Sequence, residues 1–274
     1  MLKLFKETFK TTNDSIIVAV PLILFMSILG CYLEFALMSV DSTNKFIFAM
    51  GTFTVLFCWC ISGWFYMVKK ALQLTGKIFV FDKDRVKELR NLSLSLFKGV
   101  GRLFLPIFGI VLIYLCVYAF LITGIGAFIS HYVGTLNLEF LTPDSLFISS
   151  WELIDEINDL SRNELIIINL WYIAVIIITV IVSFITFLWI PEVVYAQKNP
   201  LKALIISIKK VFKTFKRTLL LFAYVVCLAA AVSILNTLLM FNPFLYFVVL
   251  VLSYYFLVYA VVLVFTYYEQ EFAQ

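Results

Sequence analysis

The chain has 274 residues, of which 63% are hydrophobic, and its mean hydropathy is +1.03. Charged residues make up only 14% of it, against about 25% in soluble domains. Because no soluble fold can bury so much apolar surface, the composition predicts an all-α integral membrane protein. The net charge of +4 is modest, and we expect no nucleic-acid partner.

Six apolar stretches predict a single membrane domain of six transmembrane helices. Each exceeds the roughly 20 residues that a helix needs to cross a bilayer core. Pro21 lies near the start of the first span, Pro106 falls in the first turn of the third, and Pro191 ends the fourth. Asn242 and its neighbours predict a tight turn before the last span. The predicted spans are residues 15–38, 46–68, 103–129, 165–190, 218–240 and 244–268.

Lysine and arginine are unevenly divided between the two sides of this predicted domain. The N-terminal segment and the connections 69–102 and 191–217 carry 19 of the 21 basic residues, and the other side carries Lys45 and Arg162. The positive-inside rule therefore predicts cytoplasmic termini and an outward-facing acidic connection at 130–164. A composition rich in Lys, Ile, Phe, Asn and Tyr favours a bacterial source, and hence the bacterial cytoplasmic membrane.

The segment Pro200–Arg217 has the pattern of a basic amphipathic helix. At about 100° per residue, six cations fall in one arc of roughly 120°, and large apolar side chains fall opposite. Asn199 is a suitable cap and Pro200 a suitable first residue. The pattern predicts a helix in the bilayer interface, where anionic headgroups attract each cation by about 1 kcal/mol. The six cations are Lys202, Lys209, Lys210, Lys213, Lys216 and Arg217.

Three readings of this basic face stay open on the sequence alone. It can fix the topology and do nothing more, it can bind lipid headgroups, or it can dock a protein partner.

A short motif precedes each odd-numbered span and suggests an internal repeat. A surface helix followed by two spans would form one unit, used three times in the same orientation as a parallel repeat. The alternative is that any membrane protein with a cytoplasmic N-terminus carries basic residues before its odd-numbered spans. The three copies are Leu4-Phe5-Lys6, Leu96-Phe97-Lys98 and Val211-Phe212-Lys213.

Polar residues within the spans are costly and are often functional. Glu34, Asn169 and Asn236 lie at similar predicted depth near the outer side, where they could line a cavity together with His131. Glu34 could also simply reach the headgroups at the membrane edge. Glu192, at the inner end of the fourth span, could serve as a gate or substrate contact, or as an interfacial carboxylate beside the basic helix.

The sequence carries no recognisable catalytic, nucleotide-binding or metal-binding motif. A single histidine excludes multi-histidine metal sites. Cys58 and Cys60 point about 200° apart on a helix, so they cannot share a metal or a disulfide. We therefore expect no enzymatic activity and no cofactor.

About 50 residues around the basic helix resemble a feature of six-span bacterial membrane proteins similar to the membrane domain attached to some glycerophosphodiester phosphodiesterases. In these proteins a proline and an aromatic leave a span, and an Asn-Pro segment leads to a basic helix and the next span. The chain contains no counterpart of the soluble phosphodiesterase domain, so the resemblance implies no such activity. The matching residues are Pro191, Tyr195, Asn199, Pro200, Ala203 and Ser207.

Two functions remain as hypotheses. The first is a non-catalytic component that supports transport or export in a membrane complex, with any ATPase partner on a separate chain. The second is a lipid-organising or lipid-handling protein that uses its basic helices on anionic headgroups. A membrane-embedded enzyme ranks third, because no acid, base and nucleophile can be assembled.

Overall fold

The computed structural model describes residues 1–14, 16–40, 42–74, 82–134, 161–196, 199–239 and 241–272. Almost all of these residues lie in helices, and no strand occurs among them. This confirms the predicted all-α class. Most of the predicted acidic connection at 130–164 lies outside the described residues.

The described helices follow one another in chain order. Asn242 makes the predicted turn before the last helix, where its Oδ1 accepts from the backbone N–H groups of Phe244 and Leu245. The helices are α1 (Leu2–Asp14), α2 (Ala19–Ser39, after a 3₁₀ turn at Ile16–Val18), α3 (Thr43–Leu74), α4 (Asp82–Tyr132), α5 (Arg162–Ile185), α6 (Trp189–Ala196), α7 (Pro200–Lys213), α8 (Phe215–Leu239) and α9 (Pro243–Phe272).

In the described residues, six helical segments are long and apolar enough to cross a membrane, which fits a multi-pass membrane protein. Large apolar side chains such as Phe35, Leu105 and Phe120 are more than two-thirds exposed on them. Such exposure is expected for helices that face lipid. The six segments are Ile16–Ser39, Thr43–Leu74, Arg90–Tyr132, Arg162–Ala196, Phe215–Leu239 and Phe244–Phe272.

Two prolines take positions that differ from those predicted. Pro106 lies in the interior of α4, because the segment before the third span is already helical and continues into it without a break. Pro191 does not end the fourth span. The helix breaks earlier, at residues 186–188, and resumes as α6 with Pro191 in its first turn. A first turn accommodates proline because its N–H groups have no partner within the helix.

By its internal contacts the chain divides into two compact units. The first comprises residues 1–31, 54–110 and 184–274, and the second comprises residues 32–53 and 111–183. The first unit contains all of α1 and α6 to α9. A core cluster in this unit is formed by Leu4, Leu188, Val211, Leu221, Tyr259, Leu263 and Tyr267.

The N-terminal helix α1 packs against the last two helices of the first unit. Phe5 stacks on Tyr224 with ring centroids 4.2 Å apart. Phe9 meets Tyr255 edge to face, and the Tyr255 hydroxyl donates to Asn13 Oδ1 at 2.7 Å. These contacts hold α1 beside α8 and α9.

The second unit is built from the remaining parts of α2 to α5. Ser161 and Glu164 form a capping box at the start of α5, in which the Glu164 carboxylate accepts from the Ser161 N–H at 2.8 Å. The Tyr32 hydroxyl donates to the Ala49 carbonyl at 3.3 Å and links α2 to α3. An apolar cavity of about 470 Å³ lies between α4 and α5.

Candidate functional site

The basic helix α7 starts at a firmly held N-terminus. Asn199 caps it as predicted, with its Oδ1 accepting from the Leu201 N–H at 3.0 Å. Pro200 lies very close to Gly109 of α4. A Cβ atom added to Gly109 would lie 2.8 Å from the ring of Pro200. The Pro200 carbonyl accepts from the Trp189 indole at 2.9 Å. The entry to α7 is therefore fixed to both α4 and α6.

A stripe of small side chains attaches α7 to the rest of the first unit. Ala203, Ser207 and Val211 are completely buried, and their spacing of four residues places them on one side of the helix. Small residues at such spacing let two helix backbones approach closely. The sequence predicted one basic and one apolar face, whereas the structure divides the apolar face into a part that packs on protein and a part that is exposed.

The exposed surface of α7 combines cations with large apolar side chains. Lys202, Lys209 and Lys213 are exposed. Leu201, Ile205 and Phe212 are each more than half exposed as well. An interfacial helix has this arrangement, because its apolar residues enter the acyl boundary while its cations stay with the headgroups.

Lys210 departs from the predicted basic face and points into the protein. Its Nζ donates to Glu192 Oε2 at 2.6 Å and to the Tyr268 hydroxyl at 2.7 Å. The Tyr268 hydroxyl in turn donates to Glu192 Oε2 at 2.6 Å. The Glu192 side chain is 1% exposed and that of Lys210 is 22% exposed. These three side chains join α6, α7 and α9.

Aromatic rings and a second lysine surround this ion pair. Lys210 Nζ lies 4.5 Å from the centre of the Tyr268 ring. Lys69 Nζ, at the end of α3, lies 4.8 Å from the centre of the Tyr195 ring and donates to the Val194 carbonyl at 2.9 Å. Tyr195 and Tyr268 pack against each other with centroids 5.3 Å apart. The cluster thus connects α3 to the three helices that share the ion pair.

Lys216 and Arg217 do not belong to the basic helix. The helix ends at Lys213 with Thr214 as its C-cap, and a new helix, α8, begins at Phe215. Arg217 forms an ion pair with Glu271 of α9. Thr214 is within hydrogen-bonding distance of both Thr218 and Tyr267. At the junction of α7 and α8, the hydroxyl groups of these three residues are therefore hydrogen-bond partners of one another.

Of the polar residues predicted within the spans or at their ends, Glu192 lies in a buried cluster of polar side chains. It lies beside the basic helix and is completely buried there, and its roles as a gate, a substrate contact or an interfacial carboxylate stay predictions. Sequence reasoning missed Tyr268 and Lys69. Both lie at the ends of apolar spans on the side that carries Glu192. Their similar predicted depth in the membrane could have indicated that these three residues lie near one another.

The residues predicted to line an outer cavity are exposed individually. Glu34, Asn169, Asn236 and His131 are all exposed. The Asn169 amide donates to the Leu165 carbonyl of its own helix at 2.8 Å. The apolar cavity of the second unit is lined by other residues, Phe120, Phe128 and Leu170 among them.

The three copies of the proposed repeat agree in their burial. The first residue of each triplet is buried and the lysine is exposed. They differ in position, because the first triplet opens α1, the second lies inside α4 and the third closes α7. The repeat itself stays a prediction. The buried residues are Leu4, Leu96 and Val211, and the exposed lysines are Lys6, Lys98 and Lys213.

Within the described residues, no group of three His, Cys, Asp or Glu side chains could hold a metal ion. Comparison of the chain with protein-family models, with curated proteins and with solved structures finds no match. The resemblance to membrane domains of glycerophosphodiester phosphodiesterases therefore stays a prediction. The site itself is a basic helix that a buried ion pair attaches to α6, with cations and apolar side chains on its outer surface.

Proposed function

We propose that this protein organises anionic phospholipids at one face of the membrane, with α7 as the lipid-contacting element. One observation carries the proposal. α7 exposes Lys202, Lys209 and Lys213 together with large apolar side chains. Its stripe of small side chains is buried in the first unit. A basic loop that served only to fix topology would need no such attachment.

The magnitude follows from the number of exposed cations. Each lysine near an anionic surface contributes about 1 kcal/mol, or about a fivefold preference. Because salt screens exposed charges over about 8–10 Å, the preference should weaken as ionic strength rises. Lys210 is excluded from this count, since it is engaged by Glu192.

The test measures which lipids the purified protein prefers. Spin-labelled phosphatidylglycerol and phosphatidylcholine compete for the protein in bilayers, and electron paramagnetic resonance gives their relative association. We expect the triple variant K202Q/K209Q/K213Q to lose most of the preference for phosphatidylglycerol. The matched control K202R/K209R/K213R keeps the charge and should keep the preference. An unchanged preference in the glutamine variant would refute the proposal.

The proposal places α7 and both termini on the cytoplasmic side of a bacterial cytoplasmic membrane. The asymmetry of lysine and arginine supports this orientation. A reporter inserted near residue 149 should be accessible only from outside, and cytoplasmic labelling there would reverse the topology.

The other hypothesis, a component of a transport or export complex with a separate ATPase, stays a prediction. Purification in mild detergent tests it directly, because such a component should bring down a stoichiometric partner. A clean preparation without any partner would contradict it.

A further inference from the structure

Two glycines bring α3 and α4 into very close contact. A Cβ added to Gly63 would lie 2.8 Å from the Leu96 carbonyl oxygen. A Cβ added to Gly99 would overlap the Cβ of Tyr66 and lie 3.1 Å from the Cα of Gly63. Only residues without a side chain allow the two backbones to meet at this point.

Beyond this crossing the two helices enclose a cleft. Its volume of about 500 Å³ falls within the roughly 300–1,000 Å³ that is usual for small-molecule sites. One wall is the end of α3 and the other is the part of α4 that precedes its apolar span. The polar lining includes Tyr66, Lys70, Gln73, Asn91, Ser95 and Lys98.

The cleft carries an excess of positive charge. In the part of the chain that the structure describes, neither Lys70 nor Lys98 forms an ion pair. Lys70 donates to the Gln73 side-chain oxygen at 3.1 Å, which leaves further N–H bonds of its ammonium group available. Arg102 donates to the Tyr66 hydroxyl at 3.3 Å, so a third cation borders the site.

The remaining lining shows what else a ligand would meet. Glu88 also faces the cleft, and ten residues, or about 15 Å of helix, separate it from Lys98. Its carboxylate can accept hydrogen bonds from the hydroxyl groups of a ligand. Leu74, Leu92 and Leu94 supply an apolar wall.

We propose that this cleft binds a phosphate ester that carries free hydroxyl groups, with its phosphate between Lys70 and Lys98. Ammonium groups are good phosphate ligands, and Glu88 and Asn91 accept from the hydroxyl groups of the same molecule. The headgroup of a polyol phospholipid and a water-soluble polyol phosphate share this chemistry. The cleft lies on α3 and α4, so the inference does not depend on lipid contact by α7.

The experiment titrates the detergent-solubilised full chain with two probes, dihexanoyl phosphatidylglycerol and glycerol 3-phosphate, by isothermal titration calorimetry. We expect saturable binding of at least one probe, and the probe that binds identifies the source of the phosphate. Dihexanoyl phosphatidylcholine should bind at least tenfold more weakly, because choline has no hydroxyl group to offer.

Two variants and a matched control locate the site. K70Q and K98Q should each weaken binding by about tenfold, and K98R should restore most of it. K10Q removes an exposed lysine of α1, outside both the cleft and α7, and should leave binding unchanged. Failure of both probes to bind would overturn the inference, as would binding that K70Q and K98Q leave intact.

Discussion

The buried ion pair between α6 and α7 gives the most decisive test of the packing. Lys210→Met removes the ammonium group while keeping a long, flexible apolar stem. Glu192 would then be left 1% exposed, with Tyr268 still donating to its carboxylate. The neighbouring substitution Lys209→Met is the matched control, because Lys209 is exposed and lies on the same helix.

The expected loss in the free energy of unfolding depends on the Glu192 carboxylate, which stays buried after the lysine ammonium group is removed. Breaking a buried pair on one side costs about 3–5 kcal/mol. Because 22% of the Lys210 side chain is exposed, we expect a value near the lower end, about 3 kcal/mol. Replacing both partners, as in Glu192→Gln with Lys210→Met, should cost less than the single change, because no buried charge is left unpaired. Lys209→Met should change stability by no more than about 0.5 kcal/mol.

The assay is reversible unfolding in mixed micelles with increasing dodecyl sulfate, followed by circular dichroism. The double-mutant cycle over Glu192 and Lys210 gives the coupling energy, and the control gives the cost of losing a surface lysine. The assignment would be wrong if Lys210→Met and Lys209→Met had equal effects. It would also be wrong if the costs of the two single substitutions simply added in the double variant.

Three further substitutions test other contacts by the same unfolding assay. Gly99→Val should cost about 1–3 kcal/mol by overpacking the α3–α4 crossing. The control Gly101→Ala should be neutral or stabilising, because its added Cβ meets nothing within 4 Å. Equal effects of the two substitutions would contradict the crossing. Asn199→Ala should cost about 1 kcal/mol by removing the cap of α7, and Asn199→Asp should retain most of it. Thr218→Val should cost about 1–2 kcal/mol, because the buried Tyr267 hydroxyl loses one of its two threonine partners; Thr218→Ser should recover the loss.

Much of the fold could be predicted from the sequence because hydropathy reports directly on the membrane. Six apolar runs predicted six spans, and the residues that the structure describes contain six helical segments of suitable length. The capping of α7 by Asn199 followed from local chemistry, which needs only neighbouring residues. Pro106 and Pro191 were placed less well, because proline position alone does not show whether the preceding segment is already helical.

The candidate site could be predicted only in part. Helical periodicity identified the basic arc that contains Lys210, but it could not show that this lysine points inward. A helical wheel shows only the angle of each residue around its own helix. It therefore cannot distinguish an exposed lysine from one that faces a buried carboxylate of another helix. The partners Glu192 and Tyr268 lie 18 and 58 residues away, so their approach depends on how α6, α7 and α9 pack.

The amino-acid sequence by itself determined that the chain is all-helical and crosses a membrane several times, because apolar runs of this length have no other stable environment. Tertiary structure alone decided which apolar faces meet protein and which remain exposed. Lipid and protein interior are equally apolar, so hydropathy cannot separate them. It also decided that Lys210 is paired while Lys209 is exposed, and that the glycines of α3 and α4 meet beneath a basic cleft.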